Sequence, residues 1–336
     1  MRRAGLFLLL FVVLFSISVC SAEALNVYFI NVGAGDAILV DCGDWEALLD
    51  AGPGTARANS EVLATLASHV DDGIIELAIL SHPHSDHYGG FTVVFEQFKV
   101  EEFWQSYDIN PDKCEDEYST FTRGLALEGL VPRSLTRGDQ IPCAQLTWFV
   151  LSPGELRTTL RNDNENSLVL LLTYGNTLFL FLGDTEDQGE QALQRLTPPQ
   201  GDLILKVAHH GSHTSTSLRF LEWADPELAI ISTAYERPPA VVNLELMTIP
   251  FCSTADAGTI CVSTDGERIW ISSETSSGQI TPKAACEGDI TESRGHAHIV
   301  ISYIHYDGVV PRTESDEYVE ITNEGRFLKI SKIGRS

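Results

Sequence analysis

Six residues, His82-Pro-His84-Ser-Asp86-His87, put three imidazoles and a carboxylate directly after an apolar run over residues 75–80. An apolar run of that length, closed by polar residues, reads as a buried strand. Side chains of these two types in so short a loop can converge on one or two cations, and together they suit zinc, manganese or iron. The alternative, a solvated polar turn, is the poorer reading of His-x-His-x-Asp-His in a chain with only 10 histidines. Whatever the fold, it has to hold the end of this strand where such a loop can gather a metal.

The rest of the chain supplies the frame. Strand-like runs cover residues 25–32, 37–42 and 46–50, joined by tight turns such as Gly33-Ala-Gly35-Asp36. Apolar residues at helical spacing follow over 61–69, and a further helix is expected over 89–98. Over residues 100–142 the pattern is mixed and less legible. A second set of strands then spans 146–151, 167–174 and 177–182, the last ending at Gly183-Asp184. A helix over 188–196, a strand over 203–208, a helix over 217–223 and a strand over 228–232 complete it. Two halves of this kind, strands then helices, predict an α/β fold of four layers, αββα, with two sheets between outer helices. The second half adds donors of its own, in the segment Leu205-Lys-Val-Ala-His209-His210-Gly211-Ser212-His213. If the strand ran on through the paired histidines, their rings would point to opposite faces, one to metal and one to substrate.

The metal motif resembles that of the metallo-β-lactamase superfamily. The resemblance implies that His82 and His84 bind one metal, that Asp86 and His87 bind a second, and that Asp184 bridges them. The 205–212 segment is similar to the L-K-V-x-H-H-G-S signature of the hydrolase domain in the competence (ComEC) type of DNA-uptake protein. Asn164-Glu-Asn166-Ser167-Leu-Val-Leu resembles the same subgroup, standing where other members carry a third-motif histidine. Thr264-Asp-Gly266 followed by Arg268-Ile-Trp-Ile-Ser resembles its closing hairpin. Altogether the resemblance covers residues 25–275. It departs after Ser232, where the subgroup has an Asn and a Gly-His-Pro turn and this chain has Thr233-Ala-Tyr-Glu-Arg-Pro-Pro239. The last ligand position is then empty or filled by His209, His210 or His213. The implied cofactors are two divalent cations, zinc first and manganese as the alternative. A metal-activated water would attack a phosphoryl or acyl centre. Asp86 would orient it, and His210 or His213 would stabilise charge or protonate the leaving group. The subgroup's substrates are expected to be phosphodiesters or phosphorylated small molecules, with nucleic acid as a further possibility. No cysteine stands where a β-lactamase of the cysteine-ligand type needs one, and no channel-forming segment accompanies the domain.

Charge and the two ends bound the setting. Lys and Arg number 22 against 47 Asp and Glu, a formal net charge of −25 that repels polyphosphates at long range. At 43% hydrophobic content the chain has ample material for a core. Residues 1–24 read as a signal peptide: Met1-Arg-Arg, an apolar run, then Ala22-Glu-Ala24. Export is the expected outcome, with a membrane anchor if the segment is retained and no other membrane span. Of seven cysteines, Cys20 lies in that segment, and an even set of six remains for disulfides. By closeness in sequence, Cys252 pairs with Cys261 and Cys114 with Cys143. Residues 276–295 read as a linker. The final 296–336 resemble the opening strands of a lamin-tail domain, most specifically at Asp316-Glu-Tyr-Val-Glu-Ile321, though a plain β-hairpin is the simpler alternative. Two functions are compatible with this organisation: a secreted metal-dependent hydrolase of phosphoester bonds, or a catalytically impaired metal-binding scaffold tethered through the C-terminal segment.

Overall fold

A computed structural model describes residues 24–106, 116–143, 146–154, 163–274, 299–305 and 318–323. The signal-peptide expectation, its last residue apart, and the expected linker lie outside them. The chain runs through β1 (Leu25–Phe29), β2 (Ala37–Asp41) and β3 (Glu46–Ala51), and crosses by α1 (Ala56–His69) to β4 (Ile74–Leu80). Then come α2 (Ser85–Tyr88), α3 (Phe91–Gln97), β5 (Lys99–Gln105), α4 (Asp116–Leu127) and β6 (Arg133–Ser134). The second half holds β7 (Gln140–Cys143), β8 (Leu146–Ser152), β9 (Val169–Tyr174), β10 (Thr177–Phe181), α5 (Asp187–Leu193) and β11 (Asp202–Lys206). It closes with α6 (Leu218–Ala224), β12 (Leu228–Ile231), α7 (Ala240–Leu246), β13 (Phe251–Ser253) and α8 (Thr254–Ala257). Finally β14 (Thr259–Thr264) and β15 (Ile269–Glu274) return to the first half.

Two sheets result, one of eight strands in the order β15-β14-β1-β2-β3-β4-β5-β6 and one of seven in the order β13-β12-β11-β10-β9-β8-β7. Their period-two sequences explain the layering. Leu25, Val27 and Phe29 turn inward, where they meet Trp148, Phe179, Phe181 and Ile230 of the other sheet. The alternate residues Tyr28 and Ile30 face outward and are covered by Val62 and Leu66 of α1 and Phe91, Val94 and Phe95 of α3. On the far side Leu203 and Leu205 are covered by Phe220 and Leu221 of α6 and by Val241 and Leu244 of α7. The αββα expectation is met. Helix α1 begins at Ala56, five residues before the expected start, because Thr55 caps it by accepting from the Ala58 amide.

Parallel pairing sets the position of the site. Strands β3 and β4 are parallel, so Asp50 and Ser81 lie at the same edge of the first sheet. Strands β10, β11 and β12 are parallel too, so Asp184, the 207–211 turn and Ser232 emerge together from the second.

The expected Cys252–Cys261 bridge does not form. Cys261 is a buried thiol outside any disulfide, as is Cys42, whereas Cys252 is disulfide-bonded. The reason is topological: Cys252 of β13 faces the core between the sheets, and Cys261 of β14 faces the first helical layer. Cys114, and with it the expected Cys114–Cys143 pair, lies outside the described residues. Strands β16 (Ile299–His305) and β17 (Tyr318–Asn323) form a separate antiparallel pair, Ile299 opposite Asn323. Among the described residues no helix is long and apolar enough to cross a membrane.

One carboxyl in the first sheet makes stability depend on pH. Burial of Glu46, together with Glu76 beside it, pushes its carboxyl up to about 8. The Glu46 amide also donates to Glu76 Oε2 at 2.8 Å. A folded-state value above the ordinary one means that stability is lost as pH rises from the usual carboxylate range to about 8. Glu46→Gln is therefore expected to flatten the denaturant midpoint across that window. At pH 8 it should gain at least about 1.4 kcal/mol, the equivalent of one pKa unit.

Candidate metal centre

The loop after β4 is held from below by Asp50. Asp50 sits at φ 57, a left-handed conformation that aspartate tolerates. Its carboxylate accepts from the Ser81 amide and the Ser81 hydroxyl, each at 2.7 Å. The same carboxylate lies 2.8 Å from His87 Nδ1. With Nδ1 turned to Asp50, His87 presents its Nε2 to Asp184 Oδ1 at 3.3 Å. His82 Nδ1 lies 3.1 Å from Ser81 Oγ. Its Nε2 is 3.0 Å from His84 Nδ1 and 3.7 Å from Asp184 Oδ2.

The second half does not deliver its histidines on a strand. β11 ends at Lys206, and a short 3-10 turn, Ala208–Gly211, follows with His209 at φ 48 and His210 at φ 53. Two successive left-handed residues other than glycine are a local cost of order 1–3 kcal/mol each, a kind of strain concentrated at functional sites. The turn sends both rings toward Asp184 instead of to opposite faces, which corrects the strand-based expectation. His210 Nε2 lies 3.5 Å from Asp184 Oδ1 and 3.5 Å from Asp86 Oδ2. His210 Nδ1 is 3.1 Å from the Ser232 carbonyl and 3.5 Å from Asp36 Oδ1. His209 Nε2 lies 3.8 Å from Asp184 Oδ2, and its Nδ1 is 3.0 Å from Glu186 Oε1. Glu186 is itself held by Asn164 Nδ2 at 3.2 Å and Thr214 Oγ1 at 3.0 Å. The Asn164 segment thus supports the site from behind. His213 is exposed on the following turn and joins none of the converging sets.

Two sets of donor atoms share Asp184: His82, His84 and Asp184, and Asp86, His87, Asp184 and His210. Within each set the atoms lie within 4.8 Å of one another. The second set passes a test of fit to a cation. His87 Nε2, Asp184 Oδ1 and His210 Nε2 are all buried and all lack a directed hydrogen bond. Buried polar atoms are almost always partnered, and three such atoms gathered within 4.8 Å of one another suit a shared cation. Their outer nitrogens are anchored as ligating imidazoles usually are, on Asp50 for His87 and on the Ser232 carbonyl for His210.

Electrostatics agrees. Burial opposes ionisation of Asp184, yet the surrounding His87, His210 and His82 outweigh it and hold the carboxyl well below its usual range. Burial likewise opposes ionisation of Asp86, and His210 reverses it to give about 2. Burial of His87 and of His210 works against their charging, but Asp184 with Asp50 or Asp36 pushes both well above the ordinary imidazole value. Burial and the neighbouring His87 hold His82 well below it. Negative charge gathered around imidazoles is a setting that bound cations complete.

Asp36, Asp50, Glu186 and Lys206 belong to this assembly although the sequence did not single them out. Only the Gly-Asp turn at 35–36, the Asp closing the third strand and the Gly-Asp-Thr-Glu turn after 182 could have drawn attention to the acids.

The fold agrees with known proteins. Residues 22–235 match the family model described as the metallo-beta-lactamase superfamily. The chain is 32% identical over 240 residues to Recombination protein 2 of Haemophilus influenzae, covering 70% of this chain and 27% of that one. It is 28% identical over 229 residues to ComE operon protein 3 of Bacillus subtilis, covering 63% of this chain and 29% of the relative. Competence protein ComA of Neisseria gonorrhoeae is 28% identical over 208 residues, with 61% and 26% covered. The chain thus spans under a third of the length of each of these relatives. With its two sheets, its outer helices and its paired ligand sets on Asp184, the chain belongs to the metallo-β-lactamase superfamily.

Proposed function

We propose that this chain is an exported phosphodiesterase that works with two divalent cations, zinc before manganese. The carrying observation is the sharing of Asp184. Its Oδ2 faces His82 at 3.7 Å and its Oδ1 faces His87 at 3.3 Å, so one carboxylate serves two adjacent ligand sets. Imidazole-rich sets of this kind suit zinc. Two cations held there supply Lewis-acid polarisation of the scissile group and a nucleophile at neutral pH. The protein's share is orientation. Asp50 and the Ser232 carbonyl fix the rings of His87 and His210. Asp86, with its side chain 36% exposed, faces the mouth of the site, where it is placed to orient a nucleophile. His209, 28% exposed and held by Glu186, stands at the same mouth, where its Nε2 can exchange a proton with a leaving group.

Two considerations select phosphodiesters. Two of the relatives are named for recombination and for competence, and recombination is a process of nucleic acid. The charge of −25, in contrast, disfavours long polyanions, which points to small diesters ahead of DNA. The export part of the proposal rests on the first 24 residues.

Metal analysis and turnover test the reading together. The purified protein is expected to hold two cations per chain and to hydrolyse bis-p-nitrophenyl phosphate in preference to single-stranded DNA. Chelation should abolish turnover and reloading with zinc should restore it. A protein that held two cations without turnover, and that His84→Ala left unchanged, would be the scaffold of the alternative reading.

A further inference from the structure

Beside the second ligand set lies a buried ion pair. Lys206 Nζ donates to Asp36 Oδ2 at 2.6 Å and to the Val207 carbonyl at 2.9 Å. The two side chains are 1% and 2% exposed, and 170 residues separate them, so the pair bridges the two halves of the fold. A buried ion pair is a poor stabilising device, because desolvation offsets most of the attraction and apolar replacements often serve as well. Its presence here calls for another role.

Asp36 provides one. Its amide donates to the Asp86 carbonyl at 3.3 Å, and its own carbonyl accepts from the Gly52 amide at 2.8 Å. Its second carboxylate oxygen lies 3.5 Å from His210 Nδ1. A β-carbon on the preceding Gly35 would collide with the Asp86 carbonyl, so only glycine lets the chain pass this close. Asp36 therefore touches the loop that carries Asp86 and His87 and also the ring of His210, donors that come from different halves of the chain. Lys206 is the group that fixes which way its carboxylate faces. Released from Lys206, that carboxylate can rotate and draw the Nδ1 proton of His210 off the Ser232 carbonyl, taking the ring with it.

We propose that Lys206, acting through Asp36, is a positioning residue that sets the His210 ring at the second cation position. It contacts neither cation nor substrate, and the proposal rests on the two-cation reading above.

Cobalt(II) uptake by the full chain, followed by elemental analysis and by the visible d–d bands of each added equivalent, tests it. The probing variant is Asp36→Leu/Lys206→Met, which leaves no buried charge stranded. If it fails to fold, Asp36→Asn/Lys206→Met, which keeps the shape of the carboxylate, is read in the same way. The structural control is Thr177→Val, which breaks the buried 2.8 Å contact with Thr264 that also joins the two sheets, at the far end of β10 from Asp184. Wild type and control are expected to bind two cobalt ions. The double variant should keep the first and bind the second about 10–100-fold more weakly, the usual cost of losing an outer-sphere partner, with the bands of the second equivalent altered. Unchanged affinity and bands in the double variant overturn the proposal, and so does the same loss in Thr177→Val. A wild-type chain that takes up only one ion overturns the two-cation reading itself, a result recognisable without any variant.

Discussion

Asp184→Ala is expected to hold fewer than two cations and to lose the proposed phosphodiester hydrolysis by about 10³-fold, the upper end of what removal of one charge-stabilising group costs. Its two oxygens face His82, His87, His209 and His210 at 3.3–3.8 Å, so this one carboxylate belongs to both ligand sets. Asp184→Asn separates charge from shape. The amide keeps the volume but offers one oxygen where the carboxylate offers two, so it should restore folding stability and not the second cation. Elemental analysis after gel filtration, with steady-state rates on the same samples, checks both. Retention of two cations and of activity by either variant would remove Asp184 from the shared position.

The largest stability effect should come from the core between the sheets. Trp148 is fully buried there, its ring 5.9 Å from that of Phe181, which in turn lies 6.4 Å from Phe29 across the layer. Trp148→Ala is expected to cost about 3–5 kcal/mol through lost burial and an incompletely collapsed cavity. That is a large share of the roughly 5–15 kcal/mol by which domains are stable, so partial unfolding at 37 °C should follow. Trp148→Phe should be much milder, below about 1.5 kcal/mol, because the indole Nε1 is buried without a hydrogen-bond partner and its removal breaks none. Denaturant midpoints for the pair separate packing from polarity: equal losses would show that the indole N–H contributes after all.

The parts of this fold that were legible are those in which local pattern and tertiary role coincide. Residues 25–32 alternate because one face meets the other sheet and one meets helices, and both faces are dry. The His82–His87 loop and Asp184 stand out because each directly follows an apolar strand. In β5 this breaks down. Its burial alternates only in part, with Glu101 and Glu102 both exposed, because the two-residue β6 covers only its last residues. No sequence expectation covered helix α7, which begins at Ala240 directly after Pro238-Pro239 with Pro239 as its N-cap. The orientation of the 209–210 pair depended on two positive φ values, which histidine does not advertise. The Lys206–Asp36 pair spans 170 residues and leaves no short-range trace at all. The lamin-tail resemblance falls on β16 and β17, whose antiparallel ladder suits a plain hairpin equally well.

The position of β1 has a consequence for the order in which this molecule can assemble. Its neighbours are β2 on one side and β14 on the other, with Leu25 opposite Thr264. The second sheet uses only residues 140–253, a contiguous stretch that can pair as soon as it is present. The first sheet cannot close until residues 259–264 have arrived. A ribosome still holding residues 259–264 therefore holds the first sheet open with it, while the second can already be formed. Long-range closure of this kind is slow. It keeps β1 available on one side until residues 259–264 have emerged.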